Sequence, residues 1–336
     1  MNTFNNEIDL PEELVPLLMS SLVCEYASIK RDGTPITSPL IPNPGQDGCT
    51  IDVNTGLAYP WKAERARRNP NVCLLYSEPE GLVGEYPAVA LVYGQATVQD
   101  ADLQANTDRY VRAVRSSSTL FGKLPVSILG WMNGYIARIW IAITPLKILW
   151  WPGGDIDQTA RCWQAPEGIW VKPSDPPPAP FRNNYTPLEA VPNDWRAGMD
   201  YAFENLSVPV LTIVDAEGFP VPYRTAGGHI TPDGVHLDLF PSMPAKAKGR
   251  ACLTFHSIQI ENGEMIANEN YAFIGEVHAN GTSASFRVER QLPSASFRRS
   301  LKGMISLGRM MMLMRKRLVI EATRRGQPVP VVRLVK

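Results

Sequence analysis

Residues 26–40 read YASIKRDGTPITSPL, two short strand-like runs on either side of an Asp-Gly pair. A tight hairpin turn needs a residue with positive φ, and glycine adopts that conformation without steric cost, so the stretch predicts a β-hairpin. Residues 210–224, VLTIVDAEGFPVPYR, repeat the arrangement around a Glu-Gly pair. The same predicted hairpin therefore occurs once in each half of the chain.

The segments that follow each hairpin also correspond. In the first half they are DGCTIDV (47–53), KAERARRNPNVCLLYS (62–77) and AVALVYGQATVQD (88–100); in the second they are DGVHLDL (233–239), AKAKGRACLTFHS (245–257) and NYAFIGEVHANG (270–281). The Asp-Gly pairs at 47–48 and 233–234 predict two further tight turns in which glycine supplies positive φ. Short strands that are not each followed by a helix favour antiparallel barrels over a parallel α/β sheet. The sequence predicts a mainly β fold of two tandem antiparallel barrels with peripheral helices.

The repeat sets the predicted domain boundaries. Residues 1–151 form the first barrel and residues 195–336 the second. Between them, residues 152–194 are rich in proline and include SDPPPAP, a composition typical of an extended linker.

Three segments have the pattern of helices: PEELVPLLMSSL (11–22), ADLQANTDRYVRAVRS (101–116) and the C-terminal stretch 296–325. The C-terminal stretch is rich in methionine on one side and basic on the other. It is either a helix whose Met/Leu face covers a barrel or a basic amphipathic helix that binds a membrane surface or a partner.

Composition excludes several classes of function. Lys plus Arg equals Asp plus Glu, at 33 each, whereas a dedicated nucleic-acid binder is basic as a whole, so no nucleic-acid partner is predicted. The scattered cysteines and histidines lack CxxC, HxH and HExxH spacings, so no metal site is predicted and a cytoplasmic location is expected. The most apolar segment, 139–151, is too short to span a bilayer and contains Pro145 and Lys147, so no integral membrane protein is expected.

The segment WKAERARRNPNV, residues 61–72, concentrates positive charge. Lys62, Arg65, Arg67 and Arg68 accompany a single carboxylate, Glu64. A charge run of this kind is often a solvated face, but Lys and Arg also hold phosphate by charge-assisted hydrogen bonds. The free N–H groups at the start of a short helix would favour the same anion. Adjacent helical residues do not face one ligand together, so only one of Arg67 and Arg68 is expected to contact it.

Most of residues 14–150 resembles the pyridoxamine-phosphate-oxidase-like, flavin-binding split-barrel superfamily, which includes flavin- and deazaflavin-dependent oxidoreductases. The resemblance rests on a dG.P...P hairpin, a lysine followed at fixed spacing by RR.P.V, and a strand with a G.A.V ending. The matching residues are Lys62, Arg67, Arg68, Pro70, Val72 and Gly94. The second half matches in outline: it keeps Lys246 and Arg250 but lacks the RNP turn. The resemblance implies two tandem Greek-key split barrels.

The resemblance also implies a function and a site. It indicates a flavin-dependent oxidoreductase that acts on a small or mid-sized organic substrate, with FMN as cofactor. The implied cofactor-binding residues are Lys62 and Arg67 at the phosphate, together with Trp61, Tyr59, Thr55, Ser38 and, in the second half, Lys246. Trp61 either packs on the flavin ring or fills a barrel end. No catalytic residue is identified.

Three alternatives stay open at this point. The cofactor could be a deazaflavin in place of FMN. Because some split-barrel relatives bind haem, a haem-binding or haem-degrading protein is a second alternative, with one of the four histidines as ligand. A non-catalytic ligand-binding protein is the third. In single-domain members the flavin lies between the subunits of a homodimer, so this chain is expected to form either a pseudo-dimer within one polypeptide or a homodimer.

Overall fold

Two antiparallel β-sheets form the body of the protein in this computed structural model. The structure describes residues 10–78, 81, 88–116, 124–180, 194–241, 246–261, 264–293 and 301–333. The mainly β fold predicted from the sequence is confirmed.

The first sheet is built from the N-terminal half of the chain. Its strands are β1 (Cys24–Ile29), β2 (Pro35–Leu40), β3 (Asn43–Pro44), β4 (Ile51–Gly56), β5 (Asn71–Tyr76), β6 (Val89–Gln99), β7 (Arg138–Trp151) and β8 (Arg161–Gln164). They lie in the order β2-β1-β5-β6-β7-β4-β3, and β8 pairs with β7. Their inward side chains form one apolar core that includes Tyr26, Leu74 and Ile141.

The second sheet repeats this topology strand for strand. Its strands are β9 (Val210–Val214), β10 (Pro220–Arg224), β11 (Gly227–Thr231), β12 (Gly234–Asp238), β13 (Lys246–Glu261), β14 (Glu264–Asn280) and β15 (Ser283–Gln291). The order β10-β9-β13-β14-β15-β12-β11 is the first order with each strand replaced by its counterpart. Around Phe255, Phe273 and Phe286 the second sheet has a core of its own. The two sheets are curled half-barrels, which confirms the predicted tandem pair of split barrels.

Seven α-helices lie within the described residues. They are α1 (Val15–Ser20), α2 (Trp61–Arg68), α3 (Leu103–Ser116), α4 (Val126–Trp131), α5 (Asn133–Ile136), α6 (Arg196–Asn205) and α7 (Leu301–Arg324). α1, α3 and α7 coincide with the three segments predicted to be helical. Although it follows the second sheet in sequence, α7 packs on the N-terminal half, where Met311 and Met314 join Leu129, Met132 and Ile136. No helix in the described part of the chain combines the length and the apolar character that a bilayer crossing requires.

The hairpin turns show two different uses of glycine. Gly33 and Gly218 occupy corresponding turns with φ of 81° and 82°, as predicted. Gly48 also has positive φ. Gly234 does not: it begins β12, and a Cβ there would collide with the carbonyl of Phe286 in β15. The prediction of positive φ at Gly234 is wrong, because this glycine is required by the close approach of two strands.

The two halves pack on each other through corresponding strands. β2 contacts β9, β13 and β14 of the second half, while β10 contacts β1 and β5 of the first. Thr37 in β2 and Thr212 in β9 share a buried hydrogen bond of 2.5 Å. A mixed apolar cluster includes Cys73 and Tyr93 from the first half with Phe219 from the second. The contact is thus reciprocal, like that between subunits related by a two-fold axis.

A buried charged cluster also joins the halves. Glu25 in β1 is fully buried and accepts hydrogen bonds from Ser77, from Arg224 at 2.7 Å and from His256 at 2.9 Å. Arg224 also lies 3.3 Å from Glu78. Burial alone would raise the pKa of Glu25, but the His256 hydrogen bond and the Arg224 charge outweigh it and hold the pKa below its usual value. The carboxylate therefore stays ionised within the contact.

The proline-rich segment is partly docked on the first sheet. β8 pairs with β7, and farther along Asp175 accepts hydrogen bonds from the backbone N–H groups of Asp100 and Ala101. Ala179 exchanges hydrogen bonds with Arg324 at the end of α7. Up to Pro180 the segment predicted to be a linker is therefore fixed on the N-terminal half, and residues 181–193 lie outside the described residues.

Candidate functional site

The predicted basic segment forms helix α2, between β4 and β5. Ala63 and Ala66, three residues apart, are fully buried and attach one face of the helix to the first core. The helix ends at Asn69, which has extended φ and ψ of −135° and 105°, because a residue before proline disfavours the helical conformation. Side chains three residues apart share a helix face, so the charged residues on either side of the alanines point in different directions.

One side of α2 belongs to an ion-pair network. Arg67 donates to both carboxylate oxygens of Asp100 at 2.9 Å, and it also contacts the carbonyl of Asp175. Arg325, just after α7, joins Asp100 at 2.8 Å to Glu64 at 3.0 Å. The charges of Glu64 and Arg67 are therefore neutralised by groups of the protein itself.

The other side of α2 carries cations without a carboxylate. Lys62 is half-buried and makes no hydrogen bond or ion pair within the described residues. Arg65 donates from Nε to Ser28 Oγ at 2.9 Å and has no carboxylate partner in that part of the chain. Burial, with the charges of Arg65 and Arg138 nearby, lowers the pKa of Lys62 to about 8.

Arg138, at the start of β7, is the third cation of this group. Its side chain is almost wholly buried, and its guanidinium lies 4.0 Å from the ring centroid of Tyr110 and 4.6 Å from that of Tyr135. It donates to the Tyr110 hydroxyl at 2.8 Å and contacts the Tyr135 carbonyl, while its Nε is buried without a hydrogen-bond partner. Lys62, Arg65 and Arg138 form what we call the cation cluster.

The loop before α2 holds three of the predicted site residues. Thr55 is buried at the end of β4 and donates to the Tyr59 carbonyl at 2.9 Å. Arg317 of α7 lies 5.0 Å from the ring centroid of Tyr59. Trp61 is 49% exposed, so it does not fill a barrel end. Thr55, Tyr59 and Trp61 thus lie close to Lys62 along the chain.

Two predicted site residues lie elsewhere. Ser38 is half-buried in β2, directly opposite Tyr26 of β1. Lys246 begins β13, and the placement of its side chain lies outside the described residues. In the second half only residues 239–245 separate β12 from β13, whereas residues 57–70 separate β4 from β5. This connection has fewer residues than the eight-residue helix α2, and its described part, residues 239–241, contains no helix.

Arg65, Arg138 and Arg317 were not predicted as site residues. Arg65 was recognisable, because it follows Lys62 by three residues and so shares its helix face. Arg67, which was predicted, lies on the other flank of the helix and pairs with Asp100. No local pattern marks Arg138 or Arg317, which reach the region from a later strand and from the C-terminal helix.

No protein-family model matches the sequence, and no curated protein matches it. Among solved structures, the chain is similar to General Stress Protein 26 from Bacillus anthracis, with 16% identity over 41% of this chain and 91% of that one, at a TM-score of 0.28. A second is an F420 reductase, with 17% identity over 41% of this chain and 98% of that one, at a TM-score of 0.30.

A third similar structure is a protein from Clostridium acetobutylicum described as belonging to the pyridoxinephosphate oxidase family. It shares 14% identity over 43% of this chain and 87% of its own, at a TM-score of 0.28. Likeness at this level says nothing about cofactor or substrate, which depend on the residues of this chain. The chain is a tandem pair of antiparallel half-barrel sheets, and the solved structures similar to it include split-barrel proteins of the pyridoxamine-phosphate-oxidase kind.

Proposed function

We propose that the N-terminal half binds the phosphate of FMN at the cation cluster and that the protein is a flavin-dependent oxidoreductase acting on a small or mid-sized organic substrate. One observation carries the proposal: Lys62, Arg65 and Arg138 lie together with no carboxylate partner in the described residues. The charged residues on the opposite flank of the same helix are all paired, so the missing counter-charge is specific to one side of α2.

Charge balance supports an anionic ligand. Burial, together with the like charges of Arg65 and Arg138, disfavours the charged form of Lys62 and lowers its pKa. A dianionic phosphate would reverse this effect through charge-assisted hydrogen bonds, which are about twice as strong as neutral ones. Lys62 lies in the first turn of α2, where the helix dipole favours negative charge and disfavours a cation. A bound phosphate would supply the negative charge that this position favours.

The surroundings of the cluster suit the rest of the cofactor. Tyr59 and Trp61 offer aromatic surface beside Lys62, and Thr55 and Ser38 are the further residues proposed to contact it. When bound, a flavin accepts and donates hydride at its ring, and the protein orients the ring and tunes it. The role of this chain is therefore to bind and position the cofactor. The cationic donors suit a phosphate, and they include the buried Nε of Arg138, which has no hydrogen-bond partner.

We further propose one cofactor per chain, held where the two halves meet. Arg65 lies within electrostatic reach of Cys252 in β13 of the second half, so the cluster borders the contact between halves. Among the residues that the structure describes, no helix lies between β12 and β13 at the position that corresponds to α2. The chain would then act as an asymmetric pseudo-dimer in which the second half completes a single site.

The cofactor that co-purifies with the full-length protein tests the proposal. An oxidised-flavin absorption spectrum, with the mass of FMN released on denaturation, is the expected result. A Soret band would identify the cofactor as haem, and the mass of a deazaflavin would identify it as that cofactor. Either result contradicts the FMN assignment. Protein that carries no cofactor and binds no added FMN would indicate a non-catalytic role.

Substitutions test whether FMN binding depends on the cation cluster or only on the positive charge of the protein. Lys62→Ala and Arg65→Ala should each weaken FMN binding by about 1.5–3 kcal/mol, the contribution of a hydrogen bond to a charged group. Arg112→Ala is the control, because Arg112 is an exposed cation of a different helix, α3. If all three variants bind FMN alike, the cation cluster does not hold the phosphate.

A further inference from the structure

Three of the four histidines, scattered in sequence, come together in one row of the second sheet. His229 in β11 lies directly opposite His236 in β12. His236 lies opposite Ser285 in β15, and Ser285 lies opposite His278 in β14. Directly paired residues project from the same face of a sheet, so the row crosses four strands on one face. The strand register places these residues together, so no local sequence spacing reveals the row.

Within the row, His229 and His236 are immediate neighbours. Their ring centroids are 5.0 Å apart, with the ring planes inclined by 32°. His229 is exposed, and the His236 side chain is 38% exposed, so both rings are open to solvent. Asp238, two residues after His236 and on the same face, places Oδ1 3.7 Å from His236 Nε2. A carboxylate therefore lies beside the imidazole pair and adds negative potential there.

The chemistry of the pair fits a divalent transition ion. Imidazole nitrogen is a preferred ligand of Zn²⁺, Cu²⁺ and Ni²⁺, whereas Mg²⁺ and Ca²⁺ prefer oxygen. The described residues contain no group of three or more His, Cys, Asp or Glu side chains arranged to hold a metal. The pair would therefore supply two ligands and leave the other positions to water, unlike a closed structural zinc site, which has four protein ligands.

We propose that His229 and His236 chelate a divalent transition ion of the copper, nickel or zinc class on the outer face of the second sheet. β11 is the terminal strand of this sheet, and β12 is its only neighbour in the order of the described strands. An ion held by one histidine from each strand links the edge strand to the rest of the sheet. Ligand binding to the folded state alone stabilises it, so the ion should raise the unfolding temperature.

Metal titration of four full-length proteins tests the site. Calorimetry with nickel chloride should show one strong equivalent in the wild type and in His278→Ala. His229→Ala and His236→Ala should each bind at least about 10–100-fold more weakly, the loss seen when even an outer-shell partner is removed. His278→Ala is the matched control, because His278 is exposed in the same row but faces Ser285. The exposed Cys162 is present in all four proteins, so any nickel that it binds is common to all four titrations.

A second measurement reports the ligands directly. The copper(II) form of the wild type should show electron paramagnetic resonance couplings to two imidazole nitrogens, and loss of either histidine should remove one of them. Magnesium chloride should neither bind nor raise the unfolding temperature. Equal nickel affinity in all four proteins, or no binding to the wild type, overturns the proposal. The site lies in the second sheet and does not depend on the proposed flavin site.

Discussion

In helix α2, residue spacing places the charged residues of one basic segment on two sides that have different partners. Glu64 and Arg67 face a network in which Asp100 and Arg325 neutralise them. Lys62 and Arg65 face the opposite flank, where the described residues supply no carboxylate. The segment therefore contains both a structural ion-pair side and a candidate anion-binding side, although all its cations look alike in sequence.

The lowered pKa of Lys62 predicts unusual reactivity. With a pKa of about 8, Lys62 has a large unprotonated fraction at pH 8, whereas an ordinary lysine with a pKa of about 10.4 has very little. A limiting dose of acetic anhydride at pH 8 should acetylate Lys62 before the exposed Lys316, as measured by mass spectrometry of peptides. Added FMN should protect Lys62 only. Equal labelling of both lysines, unchanged by FMN, would show that Lys62 is neither perturbed nor covered.

Affinity for FMN should fall as pH rises through this pKa. Only the protonated amine attracts the phosphate, so binding is strongest below about pH 8 and weakens above it as Lys62 loses its proton. Calorimetric titrations between pH 7 and pH 9.5 measure the change. The Lys62→Ala variant should show a flatter profile over the same range, and a profile identical to that of the wild type would assign the pH dependence to another group.

Arg67 is predicted to matter for stability. Arg67→Met leaves the buried Asp100 with Arg325 as its remaining cation, so the free energy of unfolding should fall by about 1–3 kcal/mol. Urea unfolding measures the loss, and Arg68→Met at the exposed neighbour should stay within about 0.5 kcal/mol of the wild type. An Arg67→Met protein that is fully stable but no longer binds FMN would place Arg67 at the cofactor instead.

At the scale of elements, corresponding strands of the two halves share a bulge at glycine. The register shifts between Tyr93 and Gly94 in β6 and between Ile274 and Gly275 in β14. A Cβ at Gly94 would approach Ile143 to 2.5 Å, and one at Gly275 would collide with the Arg287 carbonyl. The G.A.V ending seen in the sequence thus marks a place where two strands come unusually close.

Alanine at either bulge should destabilise the protein. Gly94→Ala and Gly275→Ala each force backbone to move and should lower the free energy of unfolding by about 1–3 kcal/mol, the usual cost of overpacking. Gly130→Ala is the control, because a Cβ there meets open space within helix α4 and should stabilise by about 0.5–1 kcal/mol. Urea unfolding compares the three, and a neutral effect at both bulges would contradict the packing explanation.

Local signals predicted the elements well and long-range placement poorly. The hairpins, the three helices and the repeat followed from turn glycines and residue periodicity, which act within a few residues. By contrast, long-range strand pairing brings Arg138 close to Lys62 and places His229 next to His236. The composition of the proline-rich segment predicts a linker, because nothing in its own sequence shows that Asp175 accepts a hydrogen bond from the backbone of Asp100.

At the scale of the whole molecule, the contact between halves should respond to acid. The pKa of Glu25 is held below its ordinary value in the folded state, so its contribution is present above about pH 4.5 and is lost as pH falls through the folded pKa. Urea unfolding of the wild type should therefore lose stability more steeply below pH 4.5 than that of Glu25→Gln. At pH 7 the variant should be less stable by about 3–5 kcal/mol. If the wild type and Glu25→Gln lose stability in parallel as the pH falls, Glu25 is not the cause of the loss in acid.

The tandem arrangement makes the two halves unequal partners. Both have the same strand order, but the first carries α2 and receives α7. The described residues of the second show no counterpart of α2 and include the histidine row. A homodimer of single barrels has two equivalent sites by symmetry. A duplicated chain is free to keep one site and to change the other half, and in this protein the cation cluster lies in the first half.

The number of FMN molecules bound per chain decides whether the protein has a single flavin site in its N-terminal half. Calorimetric titration of cofactor-free, full-length protein should give one FMN per chain, and Lys62→Ala should bind it more weakly by about 1.5–3 kcal/mol while its unfolding temperature stays unchanged. Two FMN molecules per chain would contradict the assignment of a single site to the N-terminal half. No binding to correctly folded wild-type protein would contradict the flavin site itself.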